Sequence, residues 1–481
     1  MIDLDDLPKD LYIGGEWCAS NDGARIDVLN PADEQLLTSV QSASVEDCLR
    51  AVAAADAAQG DWAATSPRHK AEVLRKTFEL LEAQRENFAQ VISLEEGKTF
   101  AEAMGEMAYA AEFFRWYAEE APRIYGEVSR SPAGANNILV LKKPIGVALL
   151  VTPWNFPAAM AARKIAPALA AGCTAILKPA SETPLTALLM AQVLEEAGVP
   201  AGVVNVVPSR HSSTVVPAML RDGRVRKLSF TGSTEVGRIL MAEASQSIIN
   251  CSMELGGNAP FIVLEDADLD KAVAGALVAK IRNAGESCIG ANRFYVHAAV
   301  IETFSEKFAE AMGKLKVGVG LEEGIDVGPL VNAATRNKVK ELVDDAVAQG
   351  ARLMTGGQSR FDTGFFYEPT VLVDVPSDAK ILQEEIFGPV APIVAFEDVE
   401  EVIALANNTE FGLAAYVFGQ NIGNALSVIQ RIDAGVTGIN QGFISDPAAP
   451  FGGLKQSGIG REGSHVGLEE FCETQYVAVD W

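Results

Sequence analysis

At 481 residues the chain has room for two to four domains of roughly 150 residues each, and 48% hydrophobic against 21% charged residues is the balance of a globular protein with a large core. Its formal charge of −25, from 39 Lys+Arg and 64 Asp+Glu, repels nucleic acid and anionic lipid and excludes both as expected partners. The acidic start Met1–Asp6 lacks the basic and apolar regions of a signal peptide. No apolar run approaches the roughly 18 residues of a membrane helix, the longest, Ala158–Gly172, being interrupted by Arg163 and Lys164.

In chain order, Val45 to Arg123 carries apolar residues at three- and four-residue spacing and predicts helices. Ser129–Leu141 reads as a turn between extended segments. An alternating rhythm follows: strand Gly146–Val151, helix Ala158–Ala171, strand Thr174–Leu177, helix Leu185–Ala197, strand Val203–Val207, a helical stretch near Val215–Arg221, strand Lys227–Phe230 and helix Thr234–Ala244. A second series begins near Glu254, with strands Pro260–Leu264, Thr370–Val373 and Ala414–Phe418. Its helices are Leu269–Ile281, Ile301–Met312, Asn332–Gln349, Val399–Ala406 and Ile422–Ile432. Such alternation predicts an α/β fold of two doubly wound, Rossmann-like lobes, with ligands beyond the carboxyl ends of the strands.

Five segments carry residues suited to chemistry. A free cysteine is ordinarily a small core hydrophobe, yet Cys288 sits in the polar, glycine-flanked run Arg282–Gly290, a setting that can expose a thiol and lower its pKa. Glu254 ends an apolar strand beside Gly256 and Gly257; it is either a solvated loop carboxylate or a general base tuned by apolar surroundings. In Pro153-Trp154-Asn155-Phe156-Pro157 the prolines stiffen a turn, and a buried Asn155 amide is a natural oxyanion donor. Phe230–Gly237 is a glycine-containing strand-to-helix turn of the kind that accepts phosphate, although any such turn can hold two glycines. Lys178–Pro184 follows a strand where an adenosine ribose lies in dinucleotide folds; a lysine and a hydroxyl there suit a 2′-phosphate. The six cysteines (positions 18, 48, 173, 251, 288 and 472) form no C-x-x-C pair and lie near no ligand-spaced histidines, so no metal site or disulfide framework is expected, and a reducing cytoplasm is.

Together, and in this order along nearly the whole chain, these segments resemble the aldehyde dehydrogenase superfamily, with Glu384–Pro389 and Pro450–Gly458 completing the series. The resemblance implies Cys288 as nucleophile, Glu254 as general base and Asn155 as oxyanion donor with the Cys288 backbone N–H. It implies cofactor contacts from Trp154, Lys178, Ser181, Thr231, Gly232, Ser233, Leu255, Glu385 and Phe387, and no metal. A cofactor lobe over 1–124 and 146–253, a catalytic lobe over 254–440, an oligomerisation segment over 125–145 and 468–481 and a return segment over 441–467 follow from it. So does a homodimer or homotetramer.

Within the superfamily the runs Lys227–Phe230, Glu254–Phe261, Arg282–Gly285 and Gly460–Ser464 are most similar to succinate-semialdehyde dehydrogenases. That subfamily holds the far carboxylate of its substrate with two arginines and a serine, at positions matching Arg163, Arg282 and Ser445. Bidentate arginine suits a carboxylate and supplies local cations to an acidic protein. NADP+ is the expected cofactor, with NAD+ possible, because Ser181 stands where NAD-selective relatives often place a carboxylate; Arg210 is a further candidate for the 2′-phosphate. Gly290 stands where many members have a second cysteine, so a regulatory disulfide with Cys288 is not expected. Glutarate semialdehyde is the alternative substrate; a CoA-acylating enzyme and a non-enzymatic binding protein are the remoter readings.

Overall fold

The computed structural model describes residues 2–481. Strand Val147–Val151 is buried at every position, and so is helix Pro157–Ala171, because a parallel sheet is covered on both faces and its layers read as continuous apolar runs. The first sheet has eight strands in the spatial order Glu16–Cys18, Leu11–Ile13, Val204–Val206, Ala175–Lys178, Val147–Val151, Val225–Thr231, Asn250–Glu254 and Gly458–Ile459. The middle five run parallel, as strands joined by helical crossovers must, and the flanking ones are antiparallel. Strand order reverses between Val147–Val151 and Val225–Thr231, which opens a crevice beyond their carboxyl ends. The second sheet has seven strands, Arg352–Thr355, Thr370–Val373, Val390–Phe396, Ala291–His297, Ala259–Val263, Ala414–Phe418 and Val436–Ile439, of which only the first is antiparallel. The expected fold class of two doubly wound α/β units is what these sheets form.

Several strands depart from the elements expected, among them Arg352–Thr355 and Val436–Ile439, which were not assigned. The first 44 residues hold four short strands where none was assigned; at three to six residues each, one of them (Arg25–Leu29) alternating buried and exposed, they offer too few apolar positions to stand out. Ala291–His297 is a central strand despite the polar Asn292 and Arg293, because the Arg293 guanidinium is buried donating to the carbonyls of Asn258, Leu405 and Ala406. Val390–Phe396 contains Pro392, which ordinarily argues against an interior strand.

The C-terminal part returns to the cleft. Met253 and Glu254 pair with Ile459 and Gly458, and Leu255 donates to the Ser457 carbonyl at 2.9 Å. Beyond it, Cys472–Val479 pairs with Asn137–Pro144, which pairs with Glu127–Arg130, in a separate three-stranded sheet whose outer strand is exposed along its length.

Candidate active site

Helix Leu269–Ile281 is followed by three successive residues in the left-handed region, Asn283 (φ 56°), Ala284 (φ 50°) and Gly285 (φ 81°). Non-glycine residues hold that conformation only where their surroundings over-determine it. The Asn283 backbone N–H donates to Glu102 Oε1 at 2.7 Å, and its Nδ2 donates to Glu96 Oε1 at 2.7 Å and to the Asn155 carbonyl at 2.8 Å. A Cβ on Gly285 would stand 2.2 Å from the Gly388 carbonyl oxygen, and one on Gly257 would stand 2.3 Å from that of Cys288. Glycine at both positions lets the loop pack directly on neighbouring backbone. The loop thereby presents Cys288, half-buried, to a cavity of about 370 Å³ at the reversal point of the first sheet.

The Asn155 main chain is fixed from the other side: Lys98 Nζ donates to its carbonyl at 2.7 Å and to Glu106 Oε2 at 2.6 Å, and lies 4.0 Å from the Phe156 ring centroid. Asn155 Nδ2 donates to the Glu286 carbonyl at 3.0 Å, which occupies one of its two hydrogens. Lys98, Glu96 and Glu102 escaped sequence reasoning because a charged run such as Glu95-Glu96-Gly97-Lys98 looks solvated, whereas here Glu95, Glu96 and Lys98 are buried; Asn283 lies in the noted cysteine run, but its bonds to distant segments are not local.

Electrostatics correct one expectation. The loop does not lower the Cys288 thiol; burial pushes it up to about 12, with the charges of Arg163 and Arg282 opposing the rise and Glu385 and Glu254 adding to it. Removing water from a thiolate outweighs two cations at a distance. Glu254 is likewise held well above the usual carboxylate range by burial and by Glu462, against Arg163 and Lys164. Its Oε2 is buried without a hydrogen-bond partner.

On the nucleotide-facing side, Trp154, Thr231, Gly232 and Ser233 line the same cavity as Cys288 and Asn155, and so do Leu255, Glu385 and Phe387. Ser233 caps helix Thr234–Ser245, whose amino end favours anions. Thr231 Oγ1 is buried and unpartnered. Glu385 Oε1 accepts from the Gly257 N–H at 2.9 Å, and burial raises its carboxyl to about 7. Trp154 and Phe387 meet edge to face, with centroids 5.5 Å apart. An orphaned hydroxyl, a helix amino end and an apolar cleft fit a dinucleotide.

Lys178 and Ser181 lie outside that cavity, at and just beyond the end of strand Ala175–Lys178. Burial lowers Lys178 to about 8, and Glu182 opposes that shift. The Ser181 hydroxyl donates to Glu182 Oε2 at 3.2 Å, so a carboxylate that sequence reasoning passed over bonds to one expected 2′-phosphate ligand and acts electrostatically on the other, Lys178. Arg210, nearby in sequence to the strand Val204–Val206, is exposed and its Nε contacts His211 Nε2 at 3.1 Å.

Arg282, whose charge acts on the Cys288 thiol, donates from Nη1 to Ser445 Oγ at 2.9 Å. Arg163 is fully buried: it pairs with Glu462, which also accepts from Lys164 Nζ at 2.5 Å, and its guanidinium lies 4.4 Å from the Phe451 centroid. Both arginines act on Tyr109, lowering a phenol that burial raises. The structure thus joins Arg282 to Ser445 directly and gives Arg163 a resident counter-ion. A Cβ on Gly290 would stand 2.9 Å from the Ser287 carbonyl oxygen, and all six cysteines are free. Among the described residues no cluster of three or more His, Cys, Asp or Glu is arranged to hold a metal ion, and no helix is long and apolar enough to cross a membrane.

A cysteine loop facing a sheet-end crevice that fits a dinucleotide, with an amide lining the same cavity and a buried carboxylate whose charge acts on the thiol, is an architecture suited to a nicotinamide-dependent oxidoreductase. The model of the aldehyde dehydrogenase family matches residues 17–477, and the chain belongs to that family. It is an NAD(P)-dependent aldehyde dehydrogenase. The succinate-semialdehyde dehydrogenase of Paenarthrobacter nicotinovorans is 53% identical over 444 residues, 92% of this chain and 99% of its own. The glutarate-semialdehyde dehydrogenase of Pseudomonas putida is 48% identical over 468 residues, 97% of each. A crystal structure of an E. coli NADP dependent enzyme superposes with a TM-score of 0.98 at 47% identity, covering 100% of this chain and 99% of that one.

Proposed function

We propose that this protein oxidises succinate semialdehyde to succinate, with NADP+ preferred over NAD+. The observation that carries the reading is the Arg282–Ser445 pair, a guanidinium and a hydroxyl suited to anchor a carboxylate, set against Phe156, which also lines the cavity that holds Cys288. The similarity to the Paenarthrobacter enzyme supports the four-carbon substrate; that to the E. coli enzyme supports NADP+. Glutarate semialdehyde, supported by the Pseudomonas relative, is the second reading.

In this reading Cys288 releases its proton to solvent water and its sulfur bonds to the aldehyde carbon as the C=O pair moves onto oxygen, while the second Nδ2 hydrogen of Asn155 and the Cys288 backbone N–H stabilise the oxyanion. The bound nicotinamide supplies the hydride acceptor. Trp154, Phe387 and Leu255 would line its path, Glu385 would hold its ribose, Thr231, Gly232 and Ser233 would meet the pyrophosphate, and Lys178 and Ser181 would meet the adenosine ribose. With the hydride gone, the carbon on Cys288 is a thioester, and Glu254 takes a proton from the water that cleaves it, releasing the acid. The segments 1–124 and 146–253 then serve as cofactor domain, and 254–440 as catalytic domain. The segment 441–467 closes the site, and the sheet from 125–145 and 468–481 joins subunits into a homodimer or homotetramer. Six free cysteines suit a reducing cytoplasm.

Steady-state kinetics over succinate semialdehyde, glutarate semialdehyde and hexanal, with each cofactor and with and without CoA, test the reading. The highest kcat/KM is expected with succinate semialdehyde and NADP+, giving free succinate without CoA; preference for hexanal, or acyl-CoA as product, would overturn it. One methylene separates the two acids by about 10- to 200-fold. Arg282→Met should lower kcat/KM for the semialdehyde acids by about 10- to 100-fold, the worth of a charge-assisted pair, and leave hexanal within about threefold. Arg163 is a poorer probe, because its removal strands the buried Glu462 beside Lys164 alone. Glu182→Gln removes a negative charge from the site assigned to the 2′-phosphate, and should raise kcat/KM for NADP+ about fivefold while that for NAD+ stays level.

A further inference from the structure

Phe443 is a large apolar side chain left 45% exposed, on the loop that brings Ser445 to the site. Burial therefore accounts for only part of its placement. Its ring centroid lies 4.9 Å from the Arg282 guanidinium carbon, and that of Phe156 lies 4.8 Å from the same carbon. All three line a second cavity, of about 440 Å³, and Phe156 also lines the cavity that holds Cys288.

We propose that Phe443 is a positioning residue for substrate specificity: with Phe156 it fixes the plane of the Arg282 guanidinium so that its N–H edge meets the carboxylate of an ω-carboxylated aldehyde. This rests on the reading of Arg282 as the carboxylate anchor. The hydrogen bond to Ser445 Oγ holds one Nη and leaves the guanidinium free to pivot about it. Two aromatic rings over the cation remove that freedom, since a guanidinium prefers to lie against the ring and keep its in-plane donors available. A carboxylate is recognised in that same plane, by two parallel N–H···O bonds, so a tilted guanidinium loses one of them. Phe156 is buried and shaped by the core, whereas Phe443 is not, and the selectivity is carried at the exposed ring. A neutral aldehyde makes no use of Arg282 and is indifferent to its plane.

The test is a double-mutant cycle on the full-length enzyme, with succinate semialdehyde and hexanal as probes. Phe443→Ala is expected to raise KM for succinate semialdehyde about five- to tenfold, with kcat within twofold and hexanal kinetics unchanged; Phe443→Tyr, which keeps the ring, should stay near wild type. In the Arg282→Met background Phe443→Ala should have no further effect. Equal losses on both aldehydes, no loss on either, or a loss that persists without Arg282 would each overturn the role of Phe443. Failure of the underlying reading looks different: Arg282→Met would itself harm hexanal as much as the acid.

Discussion

Cys288→Ala is expected to reduce aldehyde oxidation by about 10⁴-fold or more, while the dissociation constant for NADP+ stays within about threefold of wild type. The substitution removes one sulfur from a half-buried position and leaves the backbone of the loop where it is. That backbone is set by Asn283, by the contact of Gly257 with the Cys288 carbonyl and by the packing of Gly285 on Gly388, none of which involves the thiol. The residues assigned to the cofactor stay in place, so binding and turnover separate. Fluorescence titration of bound cofactor beside single-turnover reduction measures both. Full activity in the variant would remove Cys288 from the chemistry, and joint loss of binding and activity would assign it a structural role.

Glu254→Gln is the second large effect. It should leave the first half of the reaction running, so that mixing enzyme with substrate and cofactor yields a burst approaching one equivalent of reduced cofactor per active subunit. Steady turnover should then be about 10²- to 10⁴-fold slower than wild type, the usual worth of a general base. The raised carboxyl gives this prediction a pH signature. Burial and Glu462 keep the Glu254 proton on to higher pH than an ordinary glutamate, and a general base works only without that proton. Burial raises the Cys288 thiol in the same direction. Wild-type kcat should therefore climb from neutral into alkaline pH, and the slow turnover of the glutamine variant should lose the part of that climb owed to Glu254. Linkage carries the opposite sign for stability. A carboxyl whose folded pKa is raised binds its proton more tightly in the native state, so its contribution falls as pH rises above the unfolded value. Glutamine, neutral at all pH, should make thermal stability less dependent on pH above that point. A rapid-quench experiment showing no burst would place the defect before the thioester and dismiss Glu254 as the deacylating base.

Much of the fold was readable from periodicity. Leu269–Ile281 and Thr370–Val373 fall where the apolar spacing placed them, because helices of 3.6-residue period and short β-branched runs declare themselves locally. Ala291–His297 did not, because what makes it a strand is a partner for Arg293 more than a hundred residues away at Leu405 and Ala406. The site divides in the same way. Cys288, Glu254 and Asn155 stand in short, unusual runs of polar and glycine residues that invite chemistry when read alone. Lys98 stands in an ordinary charged run, and Asn283 and Glu462 in noted runs that assign them no role; their contacts appear only when the chain brings Lys98 to the carbonyl of Asn155, Asn283 to Glu96 and Glu462 to Arg163.

By itself, then, the order of residues determined the two α/β units, the family, and which side chains are suited to attack, protonate and bind, since these depend on residue type and spacing along one segment. Tertiary structure decided the electrostatic state of those groups. It turned an expected low-pKa thiol into one raised by burial, bonded Ser181 to Glu182, gave Arg163 to Glu462 and laid Phe443 over Arg282. The reason is physical: desolvation and charge pairing depend on which distant segments exclude water from a group, and distance in space is not written in any one stretch of chain.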